Sequence, residues 1–297
     1  MEKLIILFAA AVCVSGAFVP VTQMQGRIAN GQLAAASQFN YSISLQLISE
    51  VGNYSTGHSC GGVLVTLSHA LTAASCTFNR SSGELIPFDA SEFRVFAGGV
   101  NLTNQYPDLF RDVANYTVHP QFVPPPASIN DIAVLTLVAP FLATLVTPLA
   151  LPSSNFAPAD MSPCILAGWG SSTHNETGLR FTNKYIYNQA LCTSVFASLP
   201  STSNIFNTMV CAASLDIVSA GCPDDTGSAL VCDNQLTGIL FHTNNCNGTS
   251  FPELYTRVSN YTSWVRSVTG GASSFKPALN ILAMLTAFQI IFMKIIS

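Results

Sequence analysis

His58-Ser-Cys-Gly-Gly-Val-Leu-Val-Thr-Leu-Ser-His-Ala-Leu-Thr-Ala-Ala-Ser-Cys76 is the stretch on which the fold turns. Within it, Val63-Leu-Val65 is a short apolar run of strand-forming residues, and cysteines stand near both ends at Cys60 and Cys76. Working outward, similar runs recur. Tyr41-Ser-Ile-Ser-Leu-Gln-Leu-Ile48 alternates polar and apolar residues, the period of a half-buried strand. Phe93-Arg-Val-Phe96, Ile132-Ala-Val-Leu-Thr-Leu137, Cys164-Ile-Leu-Ala167, Ala229-Leu-Val-Cys232 and Leu236-Thr-Gly-Ile-Leu-Phe241 follow, divided by Gly, Pro, Asn and Ser clusters. Many short strands so punctuated predict an all-β chain built as antiparallel sandwiches or barrels. Pro124-Pro-Pro126 and the stretch from Pro140 to Pro158 are candidate connectors between two halves. A helical period comes only late, at Tyr255, Val258, Tyr261, Trp264, Val265 and Val268, and Gly270 and Gly271 end it.

With 297 residues the chain can hold one large all-β domain or two small ones. Hydrophobic residues make up 49% and charged ones 9%, which excludes a disordered or solvating polypeptide. The 11 Lys and Arg are spread thinly and the formal net charge is -4, so the basic stripe demanded by nucleic acid is missing. Met1 to Ala17 opens Met-Glu-Lys, runs apolar from Leu4 to Val14 and closes on Ser15, Gly16 and Ala17. That pattern predicts a secretory signal peptide over 1–17, too short for a membrane span; a buried N-terminal helix is the alternative.

Cys13 would leave with the signal, and eight cysteines remain: Cys60, Cys76, Cys164, Cys192, Cys211, Cys222, Cys232 and Cys246. An even number in an exported chain implies disulfides, although eight cysteines allow about 105 connectivities. No Cys-x-x-Cys pair occurs and the histidines are scattered, so neither zinc nor any other cofactor is expected. Glycosylation sequons begin at Asn40, Asn53, Asn79, Asn101, Asn115, Asn175, Asn247 and Asn260, which suggests sugar on an exported surface. Gly270-Gly-Ala-Ser-Ser274, a spacer and an apolar tail from Ile281 to Ser297 fit a glycolipid-anchor signal over 270–297. A membrane span and a tail packed on the domain are the competing readings.

The opening stretch resembles a hallmark of the trypsin/chymotrypsin-like serine protease family, in which Cys-Gly-Gly starts a strand and Leu-Thr-Ala-Ala-His-Cys delivers the catalytic histidine. Asn130-Asp-Ile-Ala-Val-Leu135 resembles the segment carrying the catalytic aspartate, and Ala167-Gly-Trp-Gly170 a further landmark. Gly221-Cys-Pro-Asp-Asp-Thr-Gly-Ser-Ala-Leu-Val-Cys232 stands in place of the nucleophile loop, and Arg27-Ile28-Ala-Asn-Gly31 resembles the activation site. The resemblance spans roughly Arg27 to Val268. It implies two antiparallel six-stranded β-barrels with a C-terminal helix over 28–269, after a short propeptide at 18–27. It also implies the pairs Cys60–Cys76, Cys164–Cys232, Cys192–Cys211 and Cys222–Cys246.

Carried over residue by residue, the family's machinery is altered. Asp131 stands at the orienting carboxylate, Ser75 at the histidine and Thr226 at the nucleophile. A serine hydroxyl is a poor proton acceptor at neutral pH, so the general-base contribution of about 10²–10⁴ is lost at that position. Threonine attacks only where a base serves it. Asp224 replaces the glycine whose amide helps bind the oxyanion, and a carboxylate there repels developing negative charge. Ser228 and Ala229 replace the next glycine and proline. At the specificity pocket, Ala220 occupies the floor, Phe241 and Thr243 lie on the substrate-pairing strand, and Thr243 and Glu253 replace glycines. His58 and His69 match no catalytic position and read as ordinary strand or loop histidines.

One mechanism is implied intact: cleavage after Arg27 frees an Ile28 ammonium to pair with Asp225, a buried switch. These substitutions lead to the expectation of a non-catalytic homologue, not an enzyme, secreted or surface-anchored, that binds or regulates an extracellular protein partner. That partner includes an activating protease; membrane attachment would run through the tail. The alternative is a weakly active serine-type endopeptidase using Thr226.

Overall fold

The computed structural model describes residues 28–51, 57–81, 84–170, 177–198, 204–216, 219–243, 246 and 251–270. The expected signal and propeptide including Arg27, the tail beyond Gly270, and the sequons at Asn53, Asn175 and Asn247 lie outside them.

The first half contributes β1 (Ser42–Leu47), β2 (His58–Thr66), β3 (His69–Thr72), β4 (Phe93–Ala97), β5 (Phe110–Val118) and β6 (Ala133–Leu137). They close an antiparallel barrel in the order β1-β2-β3-β6-β5-β4. The second half contributes β7 (Pro163–Gly168), β8 (Arg180–Tyr187), β9 (Met209–Ala213), β10 (Ala229–Cys232), β11 (Gln235–His242) and β12 (Glu253–Arg257). These close in the order β7-β8-β9-β12-β11-β10, the same circuit advanced by six strands. Closure of both rings leaves no long bare edge. The short strand Gln32–Leu33 pairs with β8 outside the second ring.

The expected strands are present, with two differences of character. β1 is buried along its whole length, not half-buried, because its polar residues have buried partners. Ser44 Oγ lies 2.7 Å from His58 Nδ1, and Gln46 Oε1 accepts from Arg94 Nε at 2.8 Å. The predicted helical period begins too early, since Tyr255 lies on β12. A helix α1, Gln189–Ala197, lies between β8 and β9, and after β12 a 3₁₀ turn, Val258–Tyr261, intervenes before the second helix, α2, Thr262–Val268. Strand and turn happen to put apolar residues on one side at helix-like spacing. Beyond α2, Gly270 takes a φ of 69°, where a glycine carries no side-chain penalty.

Pro124–Pro126 lies between β5 and β6, inside the first barrel; residues 138–162 alone join the barrels. One apolar core runs through both. Leu45, Val63, Leu135 and other first-barrel side chains pack with Val231, Leu236 and Ile239 of the second, and with Val258, Tyr261 and Val265 at the C-terminal end. Tyr261 OH donates to Asn130 Oδ1 at 2.6 Å and Thr262 Oγ1 to the Pro152 carbonyl at 3.0 Å.

Four disulfides join Cys60 to Cys76, Cys164 to Cys232, Cys192 to Cys211 and Cys222 to Cys246, the pairing that the resemblance implies. Among the described residues, no helix is long and apolar enough to cross a membrane.

Candidate active site

The barrels meet where three turns converge. Ser75 lies in the 3₁₀ turn Ala74–Thr77 after β3, and Asp131 lies two residues before β6. Thr226 closes the 3₁₀ turn Pro223–Asp225 before β10. The Ser75 amide donates to Asp131 Oδ1 at 2.8 Å, so these two positions are in direct contact. Thr256 of β12 donates its hydroxyl to the Asp131 carbonyl at 2.8 Å, so the second barrel holds the acid of the first. Asp131 is fully buried, and burial pushes its pKa up to about 6 against the Ser75 amide and hydroxyl and the Ala74 amide, which hold it down. Its Oδ2 has no hydrogen-bond partner. Ser75 and Thr226 line one cavity of about 250 Å³, walled by Cys60, Cys76, Phe78, Leu85, Phe122, Pro125 and Pro223.

The nucleophile loop is fixed by close backbone approach. Gly61 N–H donates to the Thr226 carbonyl at 2.8 Å, and Gly227 N–H to Leu240 O at 2.7 Å. Gly227 takes a φ of 90°, and a side chain there would strike the Gly61 carbonyl and the Thr72 hydroxyl. The Thr226 amide donates to Pro223 O at 3.0 Å, so the turn Pro223–Asp225 uses that donor.

His58 is where the sequence reading fails. It is 3% exposed, and its Nε2 lies 3.1 Å from the Asp224 carbonyl, two residues before Thr226. With Ser44 at Nδ1, the ring ties β1 and β2 to the nucleophile loop. His58 stands opposite Gln46 of β1 and reaches Ser44 two residues along that strand, a contact legible only once the pairing of β1 and β2 is known. His69 meets Thr66 Oγ1 at 2.8 Å across a tight turn.

Asp225 is fully buried; Oδ1 accepts from Gly170 N–H and Oδ2 from Cys222 N–H, each at 2.8 Å. Burial, joined by the Glu253 and Asp224 charges, raises its pKa to about 7 against those two donors. Ile28 is buried with Leu166, Leu240 and Tyr255, and Ala29 N–H donates to Ala220 O at 2.8 Å. Residues 28–29 are thus docked against Ala220 and the second-barrel core.

Glu253 is paired with a buried cation, Lys184, that the sequence reading did not single out. Glu253 Oε1 accepts from Lys184 Nζ at 2.8 Å and from Gly221 N–H at 2.6 Å, while Oε2 accepts from Tyr255 OH at 2.5 Å. Lys184 and Glu253 are 1% and 3% exposed at their side chains. Lys184 shares the inward phase of β8 with Thr182 and Ile186, and that alternation could have found it. Phe241 and Thr243 are half-buried, and Phe241 packs toward Phe196 and Leu254.

The Trypsin family model matches residues 28–265. Trypsin beta of Drosophila erecta is 30% identical over 273 residues, covering 89% of this chain and 98% of the relative. Trypsin alpha of Drosophila melanogaster is 29% identical, over 90% of this chain and 98% of its own. The human chymotrypsin-like elastase family member 1 is 30% identical, over 83% of this chain and 93% of its own. The expectation that the chain is not an enzyme is overturned by these relatives together with His58, an imidazole buried against the nucleophile loop where none was expected. From the matched domain, the paired six-stranded rings and the converging turns at Ser75, Asp131 and Thr226, this chain belongs to the trypsin family.

Proposed function

We propose that the protein is an extracellular serine-type endopeptidase of low turnover, with Thr226 as nucleophile and Asp131 as the carboxylate that orients a base. The observation that carries this is the convergence of the Ser75–Asp131 contact and Thr226 on one cavity between the barrels. The threonine methyl crowds attack, which fits slow chemistry.

Cleavage after Arg27 is the proposed activating step. Ile28 has a φ of 34°, strained for a β-branched residue, and cutting before it frees that strain along with an ammonium for Asp225. That pairing would draw on the turn at 223–225 and release the Thr226 amide toward substrate. The Lys184–Glu253 pair fills the pocket without net charge, which favours small uncharged side chains at the primary subsite. Four disulfides and family membership support an extracellular place. The exposed sequon residues Asn79, Asn101, Asn115 and Asn260 are the proposed sugar sites, Asn40 being half-buried.

A binding role toward an extracellular protein partner, including the activating protease, is favoured in the uncut chain by the closed turn at Thr226. Attachment through the 270–297 tail is proposed with it.

The test is to treat the full exported chain with trypsin, sequence the new N-terminus, and assay small-residue peptide esters. Ile28 at the terminus and turnover that Thr226→Ala abolishes are expected. An intact Arg27 bond removes the activation step, and turnover unchanged by Thr226→Ala removes the nucleophile.

A further inference from the structure

Beside the cavity stands a hairpin outside both rings. Its strands, Phe78–Ser81 and Glu84–Pro87, pair with each other and, among the described residues, with no strand of either barrel. A two-stranded sheet alone is marginal in water, so its faces need cover. The inner face has it. Phe78 and Leu85 wall the cavity beside Ser75 and Thr226, and Phe78 stacks on Phe122 with ring centroids 5.8 Å apart. Successive residues of a strand face opposite ways, so Asn79, Glu84 and Ile86 make the outer face, and all three are exposed. In the register Ile86 stands opposite Asn79, and it is 48% exposed. Side chains so paired have Cβ atoms about 5 Å apart. A bare apolar side chain thus lies next to the amide that the sequon Asn79-Arg80-Ser81 marks for sugar. Asn115 offers a contrast: exposed on β5, it stands opposite Thr136, and no residue of that strand walls the cavity.

We propose that Asn79 carries an N-linked glycan whose innermost sugar lies on Ile86, and that this cover holds the hairpin in place as a wall of the cavity. The proposal rests on the extracellular reading above, since the sugar donor is met on the export route. In the transfer, Asn79 Nδ2 bonds to the anomeric carbon of an N-acetylglucosamine as that carbon's bond to a lipid diphosphate carrier breaks. The diphosphate leaves with the electron pair, and the Nδ2 proton passes to solvent. One face of the sugar ring presents C–H groups, which take the Ile86 side chain out of water while the hydroxyls stay wet. Whatever enters between the hairpin and Phe122 then meets a fixed wall instead of a fluctuating one.

The test compares the full chain, secreted from glycosylating cells, with Asn79→Gln, Ile86→Ser, the two combined, Ser81→Thr (which keeps the sequon) and Asn115→Gln. Mass spectrometry reads the sugar at Asn79, and hydrogen exchange reads the amides of residues 78–87. A modified Asn79 is expected. Hairpin exchange should quicken about five-fold in Asn79→Gln and in Ile86→Ser, no further in the double variant, and not at all in Ser81→Thr or Asn115→Gln. An unmodified Asn79 removes the sugar site and this inference together. A modified Asn79 whose loss leaves exchange unchanged, or effects that add in the double variant, overturn this inference alone. With small-residue esters, Asn79→Gln should raise KM about three-fold at constant kcat, and a fall in kcat at constant KM overturns the link to the cavity. Absence of any turnover removes the peptidase reading and leaves the exchange rates to decide this one.

Discussion

Asp225 and Asp131 titrate at about 7 and about 6 in the folded chain because burial disfavours their charge, against an unperturbed value of 3.8. Between the unfolded and folded values the native state keeps protons that the unfolded chain has already lost. Stability of the uncut protein is therefore full below pH 4 for these groups and falls as pH rises toward 7, by at most about 1.4 kcal/mol per unit per group. Asp225→Asn is expected to remove about half of that slope between pH 4 and 6 and nearly all of it from 6 to 7, read as urea midpoints from pH 4 to 7.5. A steeper fall in the variant would contradict the assignment. Ser75, Asp131 and Thr226 were legible as positions because a motif surrounds each. The role of His58 was not, because Ser44 and Asp224 become its neighbours only through register and loop closure.

Strand β8 shows what an element adds. Its inward residues, Thr182, Lys184 and Ile186, follow a strict alternation, and the ladder to β7 and β9 leaves Lys184 no route to water. Among the described residues, Glu253 on β12 and the Ser219 carbonyl receive its charge. Lys184→Met therefore strands a buried carboxylate and is expected to cost about 3–5 kcal/mol in chemical denaturation. Adding Glu253→Gln to it should recover a large part, and a double variant no better than the single would refute the coupling. The same logic explains the misplaced helix start. Tyr255 shares apolar spacing with α2, yet its hydrogen bonds go to β9 and β11, and local period carries no record of a ladder partner.

At the scale of the molecule, the two rings share their interior. Ala229, Val231, Leu236 and Ile239 of the second barrel lie in one cluster with the lining of the first, and α2 closes it. Residues 28–162 produced alone are expected to stay unfolded, without protected amides or sigmoidal melting, whereas 28–270 should melt in one transition. A stable isolated first ring would refute the shared core. Two barrels were legible through the landmark motifs, but the repeated circuit β1-β2-β3-β6-β5-β4 was not, since strand order depends on contacts far apart in the chain.

The seat of α2 under the first barrel also has a temporal side. Val258, Tyr261 and Val265 emerge from the ribosome only after more than two hundred residues of the domain, so the earliest-made strands wait through most of synthesis with their greasy lining uncovered. During that interval the nascent polypeptide exposes apolar surface that aggregation can capture, and Cys60 and Cys76 are both made before the ring that orients them has closed.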